Sequence, residues 1–176
     1  MPNIIILTGN IGSGKTTLAK EYVKQGYVCV SRDSVRTMFA AGGYTFSLDT
    51  EPLVRNIERY SLRLLLQEGL DIVVDETHVS RKTRANTIYL GQEYEYDIVS
   101  HVLPKISKKE AVKRRMEDND RGTPKAKWEK IWDTFNKSYK EPELKEGLQK
   151  IILEQKTGKS KIIEEPPGSK ERYSRD

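Results

Sequence analysis

The segment Ile4-Ile5-Ile6-Leu7-Thr8-Gly9-Asn10-Ile11-Gly12-Ser13-Gly14-Lys15-Thr16-Thr17 constrains this chain more than any other. Its aliphatic start is the pattern of a strand covered on both faces, as in parallel sheets. Its end opens a helix, because Leu18, Ala19, Tyr22 and Val23 recur at helical spacing up to Gly26. Between the two, Gly9 to Thr16 matches G-x-x-x-x-G-K-[ST] in full, in the strand–turn–helix context that the motif requires. Glycines allow successive N–H groups to converge on phosphate oxygens, and the helix N-terminus adds partial positive charge. Lys15 brings a full charge to the β- and γ-phosphates, and the Thr16 hydroxyl is a ligand for Mg²⁺. A plain glycine turn has no use for a lysine followed by a hydroxyl at this point. The segment therefore predicts binding of a nucleoside triphosphate, taken to be ATP, by Gly9, Asn10, Ile11, Gly12, Ser13, Gly14, Lys15, Thr16 and Thr17. It does not name an acceptor.

The rest of the chain alternates strands with helices. Tyr27-Val28-Cys29-Val30 is a second strand, Leu70 to Val74 a third, Tyr96 to Leu103 a fourth, and Lys150 to Glu154 a last edge strand. Helices are expected from Ser31 to Ala41, from Glu51-Pro52 to Gly69, over 80–93, from Ser107, and after the Arg121-Gly122-Thr123-Pro124 break. This alternation argues for an α/β fold with a parallel sheet flanked by helices. One domain over residues 1–155 is expected, with a helical lid at about 107–140 and a flexible tail over 156–176.

Charged residues make up 32% of the 176 and hydrophobic ones 36%, but the apolar residues come in blocks, which excludes a wholly disordered chain. The net charge of +5 is matched by one stretch, 105–127, which holds nine basic and four acidic residues. Beside a phosphate site, such a stretch reads as a basic segment whose Arg114, Arg115 and Arg121 close over the triphosphate. The single cysteine, Cys29, excludes an intrachain disulfide and a thiolate zinc cluster. With no apolar run long enough to span a bilayer and no basic leader, a cytoplasmic setting is expected, with no membrane partner.

Ligands of parallel α/β sheets lie outside the carboxyl ends of the strands. The second strand ends at Ser31-Arg32-Asp33, with Arg36 one helical turn on, so Arg32, Asp33 and Arg36 are expected to face the phosphate loop. A carboxylate there can take the proton of a hydroxyl attacking the γ-phosphate, and an arginine fork can hold an anionic acceptor. The third strand ends at Asp75, the expected acid beside Mg²⁺ and Thr16. Thr77 and His78 follow and are expected to point into the cleft as acceptor contacts, while an ordinary surface or hydrogen-bonded role fits His78 equally well. His101, within an apolar strand, reads as structural, and Trp128 and Trp132 read as helix packing.

These residues resemble the polynucleotide 5′-hydroxyl kinases of the phage and bacterial end-healing type, within the broad group of small P-loop kinases. The resemblance spans about residues 3–155 and is carried by GNIGSGKTT at 9–17, SRDSVR at 31–36, VVDETHVSRKTR at 73–84 and VKRRMEDNDRGTP at 112–124. It implies a sheet in 2-3-1-4-5 order and ATP with Mg²⁺ served by Lys15, Thr16 and Asp75. It also implies Asp33 as general base, Arg36 gripping a phosphate of the acceptor with Thr77, and Arg121 as the lid arginine, with Arg114 as second candidate. His78 stands where the family commonly has asparagine, and the spacing of the lid arginines is longer than in the phage enzymes. No phosphatase or ligase segment follows, so the chain is expected only to add phosphate. The lead expectation is phosphorylation of a DNA or RNA 5′-hydroxyl. The alternatives are a hydroxymethyl-pyrimidine of DNA, a small molecule such as a sugar, nucleotide sugar or antibiotic, or a non-catalytic nucleotide-binding module.

Overall fold

The computed structural model describes residues 1–118, 122–155 and 157–164. β1 (Asn3–Thr8) lies inside a six-stranded sheet with β2 (Val28–Val30), β3 (Ile72–Val74), β4 (Asp97–Val102), β5 (Lys150–Glu154) and β6 (Ser160–Glu164), in the order β2-β3-β1-β4-β5-β6. The first five strands run parallel. β1 pairs Ile4, Ile5 and Ile6 with Ile72, Val73 and Val74 on one side and with Ile98, Val99 and Ser100 on the other. The helices are α1 (Lys15–Lys24), α2 (Arg32–Phe39), α3 (Glu51–Gln67), α4 (Arg81–Glu93), α5 (Lys108–Glu117) and α6 (Lys125–Ser138).

The aliphatic run of β1 is continuous because both faces are covered. Ile4 and Ile6 join Leu62, Leu66, Ile88 and Leu90 from α3 and α4. Ile5 and Leu7 join Ala19 and Tyr22 of α1 on the opposite face. Each such side chain, fully buried, contributes about 1.5–3 kcal/mol. His101 is part of this packing, its Nδ1 2.8 Å from the Tyr22 hydroxyl. A third, smaller cluster joins Ile11 of the glycine-rich turn to Val112 of α5 and to Trp128, Ile131, Trp132 and Phe135 of α6. The two tryptophans thus pack, as their spacing predicts.

The sheet extends one strand beyond the expected order. β5 is not an edge, because β6 pairs antiparallel with it from Lys150↔Glu164 to Glu154↔Ser160, after a turn at Gly158, where φ is +77°. The polar, glycine- and proline-containing composition of the segment reads as a tail. The short pair Ile162-Ile163 nevertheless supplies enough strand character for an edge, with Ile162 left exposed. Residue 156 and residues 165–176 of that expected tail lie outside the described residues. Among the described residues no helix is long and apolar enough to cross a membrane.

The parallel strands direct their carboxyl ends to one edge, where Gly9, Ser31, Asp75 and Leu103 follow β1, β2, β3 and β4.

Candidate active site

The turn after β1 has the backbone its glycines permit, with φ of +68° at Gly12 and +102° at Gly14. Gly14 begins α1 with no side-chain cap, which leaves the first-turn N–H groups to a ligand. Gly12 is required for a second reason: a Cβ there would meet the Ala111 carbonyl oxygen at 2.8 Å, so α5 lies directly on the loop. Lys15 is buried, and its Nζ donates to the carbonyls of Gly9 at 3.0 Å and Asn10 at 2.8 Å. Burial lowers its pKa to about 8, against the opposing pull of Asp75. The Thr16 hydroxyl donates to Asp75, whose carboxyl burial pushes up while Thr16 and Lys15 hold it down.

On the neighbouring strand Ser31 caps α2, its Oγ accepting from the Asp33 N–H at 3.2 Å. That cap fixes Asp33 in the first helical turn. Asp33 Oδ1 accepts from Arg36 Nη1 at 2.6 Å and from the Tyr44 hydroxyl at 3.3 Å. Arg36 donates as well to Glu51, which opens α3, and this bond holds the Glu51 carboxyl below its usual range. Thr16, Ser31, Asp33, Ser34 and Asp75 line one cleft. The loop hydroxyl, the acid of β3 and the acid of α2 are thereby brought together.

Other expected residues stand differently. Arg32 turns to Glu76, pairing through Nη2 at 2.5 Å while its backbone N–H donates at 2.7 Å, so it joins the start of α2 to the end of β3. Thr77 is half-buried on the same loop. His78 is corrected from an acceptor contact to a core residue: it is 3% exposed, with Nδ1 3.3 Å from the Leu7 carbonyl. Burial lowers its pKa to about 3, so it is neutral there. The loop after β3 buries its side chain between the Leu7 carbonyl and the Thr87 hydroxyl of α4.

Arg114 Nη1 donates to the Gly12 carbonyl at 3.1 Å, and Nε to Glu110 at 2.8 Å. Arg115, one residue on, lies against the Trp128 ring at 5.3 Å and acts electrostatically on both Lys15 and Asp75. The sequence offers it with Arg114 and Arg121 as an arginine to close over the triphosphate, without choosing among the three; the helical turn of about 100° per residue separates its direction from that of Arg114. Arg121 lies outside the described residues. Glu51 and Glu76 carry no motif of their own. Among the described residues no group of three or more His, Cys, Asp or Glu is arranged to hold a metal ion. A hydroxyl and one carboxylate, however, fit Mg²⁺, which takes one or two protein ligands and completes its shell with water and phosphate oxygens.

Fold and site together define a P-loop nucleotide-binding protein with the α/β architecture of the small P-loop kinases. The chain belongs to the AAA domain family AAA_33, whose model matches residues 4–142. No curated protein matches it. Among solved structures, a chain of the Pnkp1/Rnl/Hen1 RNA repair complex is 26% identical with a TM-score of 0.63, over 78% of this chain and 45% of that one. Shikimate kinase from Acinetobacter baumannii, in complex with shikimate, is 18% identical with a TM-score of 0.54, over 78% and 75%. The Mycobacterium tuberculosis APS kinase CysC, in complex with AMPPNP and APS, is 17% identical with a TM-score of 0.55, over 81% and 84%. The two metabolite kinases share the fold. The present chain spans less than half the length of the RNA repair chain that it matches.

Proposed function

We propose that this protein transfers the γ-phosphate of ATP to the 5′-hydroxyl of a polynucleotide. The observation that carries the reading is the cleft that Asp33 shares with Thr16 and Asp75, the hydroxyl and acid at the start of α1 and the end of β3. The 26% identity to a chain of an RNA repair complex supports a nucleic-acid acceptor over a metabolite.

The loop N–H groups and Lys15 bind the terminal phosphates, Lys15 leaving the Gly9 and Asn10 carbonyls to do so. Thr16 and Asp75 would hold Mg²⁺, which would supply positive charge to offset that of the triphosphate. Asp33 accepts the proton of the acceptor hydroxyl as its oxygen bonds to the γ-phosphorus and the bond to the β-phosphate oxygen breaks, releasing ADP. Arg36 orients the Asp33 carboxylate through their 2.6 Å bond and presents positive charge to an acceptor phosphate, beside Arg32 and Thr77. Arg114 and Arg115 bring positive charge from α5 to the triphosphate.

The test is transfer of labelled phosphate from ATP to 5′-hydroxyl DNA, 5′-hydroxyl RNA, hydroxymethylated duplex DNA and simple sugars. Label is expected on a 5′ end, removable by phosphatase. Label confined to the modified base or to a sugar overturns the reading. Asp33→Asn is expected to lower kcat by about 10²–10⁴-fold, the range for a positioned general base, with ATP binding kept.

A further inference from the structure

Beside the acceptor carboxylate lies an aromatic ring that the core does not use. Phe46, in the connection between α2 and α3, is 53% exposed, and its ring centre is 5.6 Å from the Arg36 guanidinium carbon. That guanidinium is immobilised, donating to Asp33 on one side and to both oxygens of Glu51 on the other. The connection is tied to the carboxylate a second time, because Tyr44 donates its hydroxyl to Asp33. Phe46 therefore has a fixed address next to the reacting centre, while half of its surface is open to solvent. Met38 and Leu48, on either side in sequence, are exposed as well.

An apolar ring held in water beside a charged acceptor site suits a ligand with a flat π-face and a phosphate. In a nucleotide the base lies one sugar ring from the 5′-oxygen; here Phe46 lies one guanidinium from Asp33. Stacking on an aromatic ring accepts any base, since each has a π-face. A base at a duplex end must leave its own stack and partner to reach the ring, whereas an unpaired base is free to do so. A sugar with no base gains nothing from it.

Resting on the functional reading above, we infer that Phe46 is the platform on which the unpaired 5′-terminal base of a single-stranded acceptor stacks while its 5′-hydroxyl meets Asp33. The acceptor class is thus a single-stranded 5′-hydroxyl end whose terminal base is unpaired, with little base preference.

The experiment compares two single-stranded 5′-hydroxyl oligonucleotides, one with an ordinary 5′-terminal nucleotide and one abasic at that position, as acceptors for wild type, Phe46→Ala and Phe46→Trp. Thermal midpoints establish that each variant is folded. Wild type is expected to favour the base-bearing strand. Phe46→Ala is expected to lose about tenfold in kcat/KM on that strand, a typical value for one stacked base, with no comparable loss on the abasic strand. Phe46→Trp restores the preference. A Phe46→Ala enzyme that keeps the wild-type preference, or that loses equally on both strands, overturns the platform and leaves the functional reading standing. A wild-type enzyme that labels neither strand overturns the functional reading and the platform with it.

Discussion

Both carboxylate oxygens of Glu51 accept from Arg36, one from Nε at 2.7 Å and the other from Nη2 at 2.8 Å. This two-point contact fixes the plane of a guanidinium whose remaining Nη1 reaches Asp33. Glu51 touches neither predicted substrate, so it acts through Arg36 as a positioning residue. Glu51→Gln keeps the shape and one acceptor but removes the charge. The expected result is a raised acceptor KM and a lowered kcat, an unchanged KM for ATP, and a stability loss of about 1–3 kcal/mol. Steady-state kinetics with each substrate varied in turn, and urea unfolding, separate these effects. An ATP KM that shifts with the acceptor KM would show a general disturbance instead.

Lys15 gives a pH dependence of definite sign. Its pKa is lowered by burial from 10.5 to about 8, so the free protein loses this charge as pH rises through about 8. ATP affinity is expected to fall from pH 7 to 9, with KM for ATP rising more than kcat falls, because bound phosphates favour the charged lysine. Stability moves the other way. Between about 8 and 10.5 the unfolded chain binds more protons at this site than the folded one, so this contribution to stability increases with pH. Lys15→Arg, charged throughout, is expected to flatten the ATP profile over this range.

Arg114 and Arg115 are adjacent, yet their expected roles differ. Arg115 shares a field with Lys15 and Asp75, so Arg115→Ala is expected to lower kcat by about 10²-fold, as for loss of one donor to a developing charge. Arg114 holds the Gly12 carbonyl, so Arg114→Ala is expected to act mainly on KM for ATP. The reverse pattern in single-turnover and steady-state rates would exchange the assignments.

Arg84 is fully buried and donates to both oxygens of Glu146, at 2.8 and 2.7 Å, and to the His78 and Lys140 carbonyls. It joins the loop that follows Asp75 to the segment after α6. Arg84→Met leaves the Glu146 carboxylate without its main partner and is expected to cost about 3–5 kcal/mol. Adding Glu146→Leu should recover much of that loss. Guanidinium unfolding of the two variants reads the difference directly.

Local patterns in the sequence disclose most of this architecture. The aliphatic run of β1, the turn from Gly9 to Thr16 and the helix behind it are encoded in consecutive residues, and strand ends then place Asp33 and Asp75 on one edge. Pairings that cross long stretches of chain are not visible in that way. Arg36 meets a glutamate fifteen residues away in another helix, and no spacing rule announces it. His78 shows what position alone leaves open: just past a strand it fits a cleft contact and an ordinary hydrogen-bonded histidine equally, and the loop buries it 3.3 Å from the Leu7 carbonyl. β6 was hidden because two isoleucines sit in a polar segment whose composition as a whole resembles a tail. Phe46 has no periodic partner, so only its neighbours in space give it meaning.

Ile11 belongs both to the glycine-rich turn after β1 and to the small apolar core of α5 and α6. The loop and the helical pair therefore share packing, so remodelling the pair is expected to disturb the loop. The connection between α2 and α3 has no share in that core. On the proposed function, exchanging that short surface stretch is expected to alter acceptor choice and to leave ATP use unchanged.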